Sequence, residues 1–223
     1  MNIHIIILAG GKGTRMLSQK AKVLQKLGGR TMLDHIMTTA QKITDKISIV
    51  VGFDKEGVEE EIQNIGINAN TYLQKEQIGT ADAVKTILNE IEQTEKILVL
   101  YGDVPLIKEE TLKKLCNQKS DLSILTTNLE NPTGYGRTIK DKENNVLKVI
   151  EEKDADLEEK KIKEIFTGIL ATNGKILKKH IPEISNNNAA REFYLTDLIG
   201  IANNNGFKIN TLSSSNEETA GAN

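Results

Sequence analysis

A run of branched apolar residues, Ile3–Leu8, ends abruptly at a loop that contains three glycines, Gly10, Gly11 and Gly13. An apolar run of this length beside glycines is typical of a strand buried inside a parallel sheet. The loop after such a strand lies at the carboxyl edge of the sheet, where open α/β folds bind ligands. Glycines at this edge let backbone amides approach an anion closely. The pattern therefore predicts a buried strand that leads into an anion-binding loop.

The glycine loop matches neither of two familiar phosphate-binding motifs. A Walker loop has serine or threonine after its lysine, whereas Lys12 is followed by Gly13, which argues against a GTP-binding switch of that type. A dinucleotide fingerprint has a third glycine at the position of Met16. Glycine-rich turns alone are weak indications of function, so an ordinary strand-to-helix turn is an alternative at this point.

The distribution of charge favours a polyanionic ligand at this loop. The chain contains 29 cations and 31 acids, but its first 33 residues contain six cations and no acid, so the rest carries a net charge of −8. A local cationic excess on an acidic background indicates that the loop binds a polyanion such as a triphosphate. The six cations are Lys12, Arg15, Lys20, Lys22, Lys26 and Arg30.

Length and composition exclude several classes of protein. A chain of 223 residues is long enough to bury a core, and we expect one domain over 1–223. The net charge of −2 argues against a general nucleic-acid or membrane-surface binder, and the longest apolar run is too short to span a bilayer. The single cysteine, Cys116, excludes an internal disulfide and favours a reducing cytoplasm. It lies in a helical apolar pattern, so we expect a structural thiol rather than a nucleophile.

Predicted strands and helices alternate along the chain. The spacing of apolar residues predicts helices at 31–43, 55–65, 81–91 and 173–180. Strands are predicted at 46–51, 67–73, 97–100, 121–129, 146–150 and 207–212. Such alternation indicates βαβ units, whose right-handed crossovers place helices on both faces of a sheet. The predicted fold class is therefore α/β, with a Rossmann-like mixed, mostly parallel sheet and helices on both faces.

Two further loops follow predicted strands and should lie at the same edge as the glycine loop. The first, 74–80, has the residues of a turn with a helix cap, which is the alternative to a binding role. The second contains Asp103, whose alternative role is to cap a helix that starts near residue 108. An aspartate beside a phosphate loop suits Mg²⁺, which prefers carboxylate, water and phosphate oxygens. We therefore predict a magnesium ligand at Asp103.

The segment 8–16, Leu-Ala-Gly-Gly-Lys-Gly-Thr-Arg-Met, and the following Lys-Val-Leu at 22–24 resemble the opening of the sugar-nucleotide pyrophosphorylases. Within that superfamily the chain is most similar to the uridylyltransferase domain of bacterial N-acetylglucosamine-1-phosphate uridylyltransferases. Further matching blocks lie at 74–80, 101–103, 133–137 and 192–199, so the resemblance covers almost the whole chain. It implies the nucleotide-diphospho-sugar transferase fold and an enzyme that uses Mg²⁺ to transfer UMP from UTP to N-acetylglucosamine 1-phosphate. The product, UDP-N-acetylglucosamine, would serve the synthesis of peptidoglycan and lipopolysaccharide.

The resemblance also assigns roles to individual positions. The catalytic positions it implies are Arg15, Lys22 and Asp103. The metal-binding positions are Asp103 and Asn223. The nucleotide-binding positions are Leu8, Ala9, Gly10, Gly11, Gly13, Thr14, Gln74, Gln77, Gly79, Thr80 and Tyr101. The sugar-binding positions are Gly136, Glu151 and Phe166.

Three positions depart from the family pattern. The family usually has alanine at Gly10 and proline at Ala21, and the loss of proline is expected to loosen the loop that holds Lys22. At Phe166 the family has asparagine, whose amide contacts the amino sugar, and a phenyl ring cannot make that hydrogen bond. Two alternatives therefore stay open: a nucleotidyltransferase that acts on another sugar 1-phosphate, and a non-catalytic sugar-nucleotide-binding subunit.

The bifunctional members of the family continue into a left-handed β-helix acetyltransferase domain. This chain contains no hexapeptide repeat, so we expect no acetyl transfer from it. The expected partners are UTP and a sugar 1-phosphate, with no nucleic acid and no membrane. A homo-oligomer is compatible with the sequence.

Overall fold

The computed structural model describes residues 2–11, 13 and 20–221. Within these residues the strands are β1 (Ile3–Leu8), β2 (Lys26–Leu27), β3 (Arg30–Thr31), β4 (Ile47–Val51), β5 (Asn70–Leu73), β6 (Lys96–Tyr101), β7 (Leu122–Asn128), β8 (Arg137–Lys140), β9 (Val146–Ile150), β10 (Glu164–Asn173) and β11 (Ile209–Ser213). The helices are α1 (Met32–Gln41), α2 (Lys55–Ile65), α3 (Thr80–Lys85), α4 (Glu109–Cys116), α5 (Gly174–His180), α6 (Asp197–Asn204) and α7 (Asn216–Thr219).

The main sheet has the strand order β11-β7-β10-β6-β1-β4-β5. β1 pairs in parallel with both β4 and β6, and β4 pairs in parallel with β5, so these four strands end at one edge. β10 runs antiparallel to β6 and β7, whereas β11 is parallel to β7. β8 and β9 form an antiparallel pair that joins the sheet through β10. The described sheet is therefore mixed around a parallel centre, as the alternation of strands and helices predicts.

Neighbouring residues of the central strands pack on opposite faces of the sheet, because side chains alternate along a strand. Ile5 and Ile7 of β1 belong to an apolar cluster that includes buried side chains of α1, α2 and α4. Ile6 belongs to a second cluster, which includes buried side chains of α3, α5 and α6. Helices therefore cover both faces, and burial on both sides explains why β1 is apolar throughout.

Most of the predicted elements are confirmed, and one is partly wrong. The helix predicted at 55–65 coincides with α2, and the strand predicted at 146–150 coincides with β9. The helix predicted at 81–91 ends at Lys85, and a short 3₁₀ turn, Leu88–Glu90, follows it. The Thr86 hydroxyl donates to the Ala83 carbonyl at 2.7 Å. Such a side-chain hydrogen bond competes with the helical pattern and explains the early end.

Cys116 is buried at the end of α4, and burial raises the pKa of its thiol to about 11. Because the thiolate is the nucleophilic form of cysteine, the raised pKa agrees with the structural role that the sequence predicts. Among the described helices, none has both the length and the apolar character needed to cross a membrane.

Candidate active site

A pocket of about 230 Å³ opens at the carboxyl edge of the parallel strands. Its walls come from the ends of β1 and β6, from the loop after β5 and from the start of α3. The structure brings together here every described residue of the predicted nucleotide-binding set except Gly13. The predicted residues in the wall are Leu8, Ala9, Gly10, Gly11, Gln74, Gln77, Gly79, Thr80 and Tyr101.

The glycine loop packs closely against the residues that follow β4. The Gly10 carbonyl accepts a hydrogen bond from the Phe53 amide at 3.1 Å. A Cβ atom at Gly10 would lie 3.3 Å from both the Gln74 Oε1 and the Gly52 nitrogen, and one at Gly52 would lie 2.7 Å from the Gly10 oxygen. The alanine that the family has at this position would therefore require its neighbours to shift by a few tenths of an ångström, and glycine permits the tighter loop.

The loop at 74–80 is held by its own side-chain amides. The Gln74 Nε2 donates to the Gly79 carbonyl and to the Asp82 carboxylate, both at 2.9 Å. The Gln77 Nε2 donates to the Gln74 carbonyl at 3.1 Å. Both N–H groups of the Gln74 amide are therefore used inside the protein, and its Oε1 is the atom beside the glycine loop. The loop has a fixed shape against which a flat base can pack.

Gly79 joins this loop to a distant segment of the chain. The Ile78 carbonyl accepts from the Phe193 amide, and the Ala81 amide donates to the Phe193 carbonyl, both at 2.8 Å. Gly79 has a φ of +131°, and a Cβ atom there would lie 2.5 Å from the Phe193 nitrogen. Only glycine fits this close approach, because both the conformation and the space exclude a side chain.

Two of the predicted catalytic residues form an ion pair beside the first pocket. The Lys22 Nζ lies 2.7 Å from the Asp103 Oδ2, and their side chains are 15% and 28% exposed. Asp103 follows the end of β6, while Lys22 begins a 3₁₀ turn, Lys22–Leu24. A Cβ atom at Gly13 would lie 2.9 Å from the Lys22 Cβ, so the glycine loop approaches the lysine directly. The tertiary structure thus brings together charges that are 81 positions apart in sequence.

The backbone at Ala21, where the family has proline, is attached to a distant side chain. Ala21 is fully buried, and its amide donates to the Asp54 Oδ2 at 2.9 Å. Proline has no N–H and cannot make this bond, although the Ala21 φ of −53° would accommodate it. This hydrogen bond holds the backbone at Ala21, and the effect of the missing proline on the loop of Lys22 stays a prediction.

A second pocket of about 200 Å³ adjoins the first, and the two share Tyr101 and Asp103. All three residues of the predicted sugar-binding set line it, namely Gly136, Glu151 and Phe166. They come from three places in the chain: the turn before β8, the residue after β9, and β10. Their contacts with a sugar stay predictions.

The Tyr101 ring packs directly on the backbone of Gly168. A Cβ atom at Gly168 would lie 2.8 Å from the ring, and its φ is +89°. Gly168 lies where the pairing of β10 with β7 shifts, between Phe166 and Leu170. Burial raises the pKa of the Tyr101 hydroxyl above its ordinary value, and a hydrogen bond with Thr80 opposes the rise. A neutral hydroxyl group therefore lies between the two pockets.

Glu151 supplies a partly buried carboxylate to the second pocket. Its Oε1 accepts a hydrogen bond from the Thr196 hydroxyl at 2.9 Å. Burial raises the pKa of the Glu151 carboxyl, this hydrogen bond opposes the rise, and Asp197 and Asp154 add to it. A Cβ atom at Gly136 would lie 3.5 Å from the Glu151 Oε2. The second carboxylate oxygen therefore faces the turn that lines the pocket.

Phe166 is both a wall of the second pocket and part of an apolar cluster of the core. It is 5% exposed, and its amide donates to the Gly136 carbonyl at 2.9 Å. Directly opposite on β7 lies Thr126, whose buried hydroxyl has no hydrogen-bond partner within the part of the chain described. The ring thus presents apolar surface where the family has an amide.

The sequence did not single out several residues that line the second pocket. Thr196 lies in the family block 192–199 and could have been found from it, whereas no local pattern distinguishes Thr167 or Thr219. Four residues singled out from the sequence lie outside the described part of the chain, namely Lys12, Thr14, Arg15 and Asn223.

The fold is similar to that of a solved protein from Bacillus anthracis. That crystal structure, described as a glucose-1-phosphate thymidylyltransferase in complex with a sucrose, superimposes with a TM-score of 0.76. The match covers 96% of this chain and 87% of that chain at 21% identity. At this identity the likeness concerns the fold alone, and it agrees with the predicted fold class.

Sequence relatives match along the whole chain. The bifunctional protein GlmU of Ruthia magnifica subsp. Calyptogena magnifica is 44% identical over 225 residues. The bifunctional protein GlmU of Clostridioides difficile (strain 630) is 44% identical over 229 residues. Each match covers 100% of this chain and 49% of the relative. The chain therefore spans about half the length of the curated relatives it matches.

A family of nucleotidyltransferases matches the part of the chain that forms most of the first pocket. Residues 5–153 match the family described as the MobA-like NTP transferase domain, which is about two thirds of the chain. That range contains the glycine loop, the loop at 74–80 and the ion pair at Asp103. The chain therefore belongs to the family of MobA-like NTP transferase domains.

Proposed function

We propose that the protein transfers UMP from UTP to N-acetylglucosamine 1-phosphate and releases pyrophosphate and UDP-N-acetylglucosamine. The observation that carries this proposal is the junction of the two pockets at Tyr101 and Asp103, with the Lys22 ammonium beside the Asp103 carboxylate. A nucleotide in the first pocket and a sugar phosphate in the second would bring their phosphates together there. Transfer between two phosphorylated substrates requires positioning and charge neutralisation more than covalent chemistry.

Each part of the site has a task in this proposal. A sugar phosphate oxygen attacks the α-phosphorus of UTP in line, and pyrophosphate leaves on the opposite side. Lys22 neutralises charge on the triphosphate, and Arg15 has the same proposed task. The backbone amides of the glycine loop bind phosphate oxygens. Glu151 accepts a hydrogen bond from a sugar hydroxyl with its Oε2, because Thr196 already donates to its Oε1.

The proposal includes a Mg²⁺ ion at this site, with Asp103 as one protein ligand and Asn223 as a second protein ligand. Among the described residues no group of three or more His, Cys, Asp or Glu side chains could hold a metal ion. A single carboxylate beside a phosphate pocket nevertheless fits Mg²⁺, which commonly binds one or two carboxylates together with substrate phosphates and water. When bound, the ion would supply positive charge against the phosphate oxygens.

The similarity to GlmU proteins supports UTP and N-acetylglucosamine 1-phosphate as the substrates. Two matches at 44% identity extend over 100% of this chain, and so include both pockets. The product would be a cytoplasmic precursor of peptidoglycan and lipopolysaccharide. The proposal concerns nucleotidyl transfer only, because the chain spans about half of those relatives.

Phe166 favours a second candidate, transfer to a different sugar 1-phosphate. Its ring lines the second pocket as an apolar wall, and an apolar wall does not select the polar acetamido group by hydrogen bonding. Glucose 1-phosphate is the simplest alternative acceptor, because it lacks the acetamido group and keeps the phosphate.

The experiment is a measurement of pyrophosphate release with Mg²⁺. UTP is compared with dTTP, and N-acetylglucosamine 1-phosphate is compared with glucose 1-phosphate. Asp103→Asn tests the site, because it keeps the shape of the side chain and removes the charge. Asp45→Asn is the matched control, since Asp45 is exposed and precedes β4 at the opposite edge of the sheet.

The proposal predicts release with UTP and the acetylated sugar, unchanged by Asp45→Asn. Asp103→Asn should lower kcat/KM by about 100-fold or more, the usual effect of removing one preorganised charged group. A preference for glucose 1-phosphate would support nucleotidyl transfer and would favour the second candidate, with a different sugar 1-phosphate as the acceptor. Binding of UTP without release from either sugar would contradict catalysis and favour a non-catalytic sugar-nucleotide-binding subunit.

A further inference from the structure

A buried carboxylate near the second pocket has no part in the proposed reaction. Glu218, in the short helix α7, is 7% exposed. Its Oε1 accepts a hydrogen bond from the Lys108 amide at 2.9 Å, and its Oε2 accepts one from the Ser214 hydroxyl at 2.8 Å. Both oxygens therefore have partners, as a buried carboxylate requires.

The two partners of Glu218 belong to distant parts of the chain. Lys108 ends the loop that begins with Asp103, and it immediately precedes α4. Ser214 begins the segment 214–221, which follows β11 and which we name the strap. The Thr127 hydroxyl of β7 donates to the Ser214 carbonyl at 2.9 Å and fixes the start of the strap. Glu218 joins the strap to the Asp103 loop across 110 positions of sequence.

The strap reaches the second pocket. Thr219 and Gly221 line that pocket together with Asp103. A Cβ atom at Gly221 would lie 3.9 Å from the Asp103 carbonyl oxygen and 4.0 Å from the Tyr135 hydroxyl. Within the described residues, the strap contributes nothing to the wall of the first pocket. A displaced strap should therefore alter the second pocket more than the first, because only Asp103 and Tyr101 are shared by the two pockets.

We infer that Glu218 is a positioning residue that holds the strap against the Asp103 loop and thereby shapes the sugar 1-phosphate side of the active site. The inference rests on the proposed function, which assigns the second pocket to the sugar phosphate. Glu218 acts through Thr219 and Gly221 rather than by contact with a substrate. Loss of its carboxylate leaves the Lys108 amide without its acceptor and releases the strap.

Three variants separate positioning from folding. Glu218→Ala removes both acceptors. Glu218→Gln keeps the connection, because an amide oxygen accepts from the Lys108 amide and the Ser214 hydroxyl can turn to accept from the amide nitrogen. Glu217→Ala is the matched control, since Glu217 is exposed and is the neighbouring residue of the same helix.

Two measurements are made on the full chain of each variant. The first is steady-state kinetics, with KM for UTP, KM for the sugar 1-phosphate and kcat. In Glu218→Ala we expect KM for the sugar 1-phosphate to rise about tenfold while KM for UTP changes by less than about twofold. The second is amide hydrogen exchange, which should be faster in both 103–108 and 214–221. Glu218→Gln and Glu217→Ala should match the wild type in both measurements.

Several outcomes would overturn the inference. Unchanged exchange in both segments of Glu218→Ala would show that Glu218 does not hold the strap against the Asp103 loop. An equal rise of both KM values, or a lower melting temperature with wild-type KM values, would leave Glu218 with a structural role only. A wild type that turns over no sugar 1-phosphate would refute the proposed function separately. In that case hydrogen exchange alone tests whether Glu218 holds the strap against the Asp103 loop. Faster exchange in both segments supports that role, and unchanged exchange contradicts it.

Discussion

The substitution Gly79→Ala tests whether the loop at 74–80 depends on its close approach to Phe193. The alanine Cβ would lie 2.5 Å from the Phe193 nitrogen and 2.8 Å from its carbonyl carbon, so the two segments must separate. Separation breaks the hydrogen bonds that Phe193 makes with Ile78 and Ala81, which contribute about 1 kcal/mol each. A φ of +131° adds about 1–3 kcal/mol of strain for any residue with a side chain. We expect a loss of about 3–5 kcal/mol in the free energy of unfolding.

The assay is urea unfolding followed by circular dichroism, because the chain contains no tryptophan. Gly66→Ala is the matched control, since Gly66 has a φ of +74° but open space around the position of a Cβ atom. The control should lose only about 1–2 kcal/mol, the cost of the left-handed conformation alone. Because the Gly79 carbonyl accepts from the Gln74 amide, Gly79→Ala should also raise KM for UTP, and Gly66→Ala should not.

The result that would refute this reasoning is a Gly79→Ala variant no less stable than Gly66→Ala. Such a result would mean that the loop moves away from Phe193 without loss, and that the two hydrogen bonds are not coupled to the shape of the loop. A variant with the expected loss of stability and an unchanged KM for UTP would separate the fold of the loop from nucleotide binding.

Three further perturbations follow from buried contacts. Ala21→Pro should destabilise the fold by about 1–2 kcal/mol, because the hydrogen bond from its amide to Asp54 is lost, and urea unfolding measures the change. Phe166→Ala should lower the free energy of unfolding by about 3–5 kcal/mol, because the ring is buried in the core. The same variant should alter KM for the sugar 1-phosphate more than KM for UTP, and equal changes in the two KM values would contradict the place of Phe166 in the second pocket. Burial, followed by the positive charge of Lys46, lowers the pKa of His4 below its ordinary value of 6.5. At acid pH the unfolded chain therefore binds more protons than the folded chain. Stability should therefore fall as the pH drops below 6.5, and His4→Gln should flatten that dependence; an equally steep curve in the variant would assign the acid sensitivity to other groups.

The sequence predicted the elements well where a local pattern decides them. The apolar run of β1 and the amphipathic spacing of α2 predict the type and the bounds of both elements. A strand buried on both faces is apolar throughout, and a helix buried on one face has apolar residues at a helical period. The helix predicted at 81–91 failed at Thr86, where a single hydroxyl competes for a helical carbonyl. Periodicity contains no information about that competition.

In the candidate site, too, local motifs were predictable from the sequence and contacts between distant residues were not. Glycine-rich and strand-end motifs placed three loops of the first pocket at one edge, because parallel strands bring their carboxyl ends together. The family resemblance then supplied the individual nucleotide-binding positions. The hydrogen bond from the Ala21 amide to Asp54 was not predicted, because the two residues are 33 positions apart and no pattern links them. The second pocket depends on residues such as Thr219 that only the folded chain brings beside Asp103.

The sequence by itself determined the α/β class, the family resemblance and the edge of the sheet at which phosphate binding is predicted. These properties depend on neighbouring residues, since hydrophobic period and loop composition are local. The tertiary structure alone decided that Lys22 pairs with Asp103, that Gly168 makes room for Tyr101, and that Glu218 joins the strap to the Asp103 loop. Those three contacts depend on strand order and register, and Glu218 and its partner Lys108 are 110 positions apart in sequence.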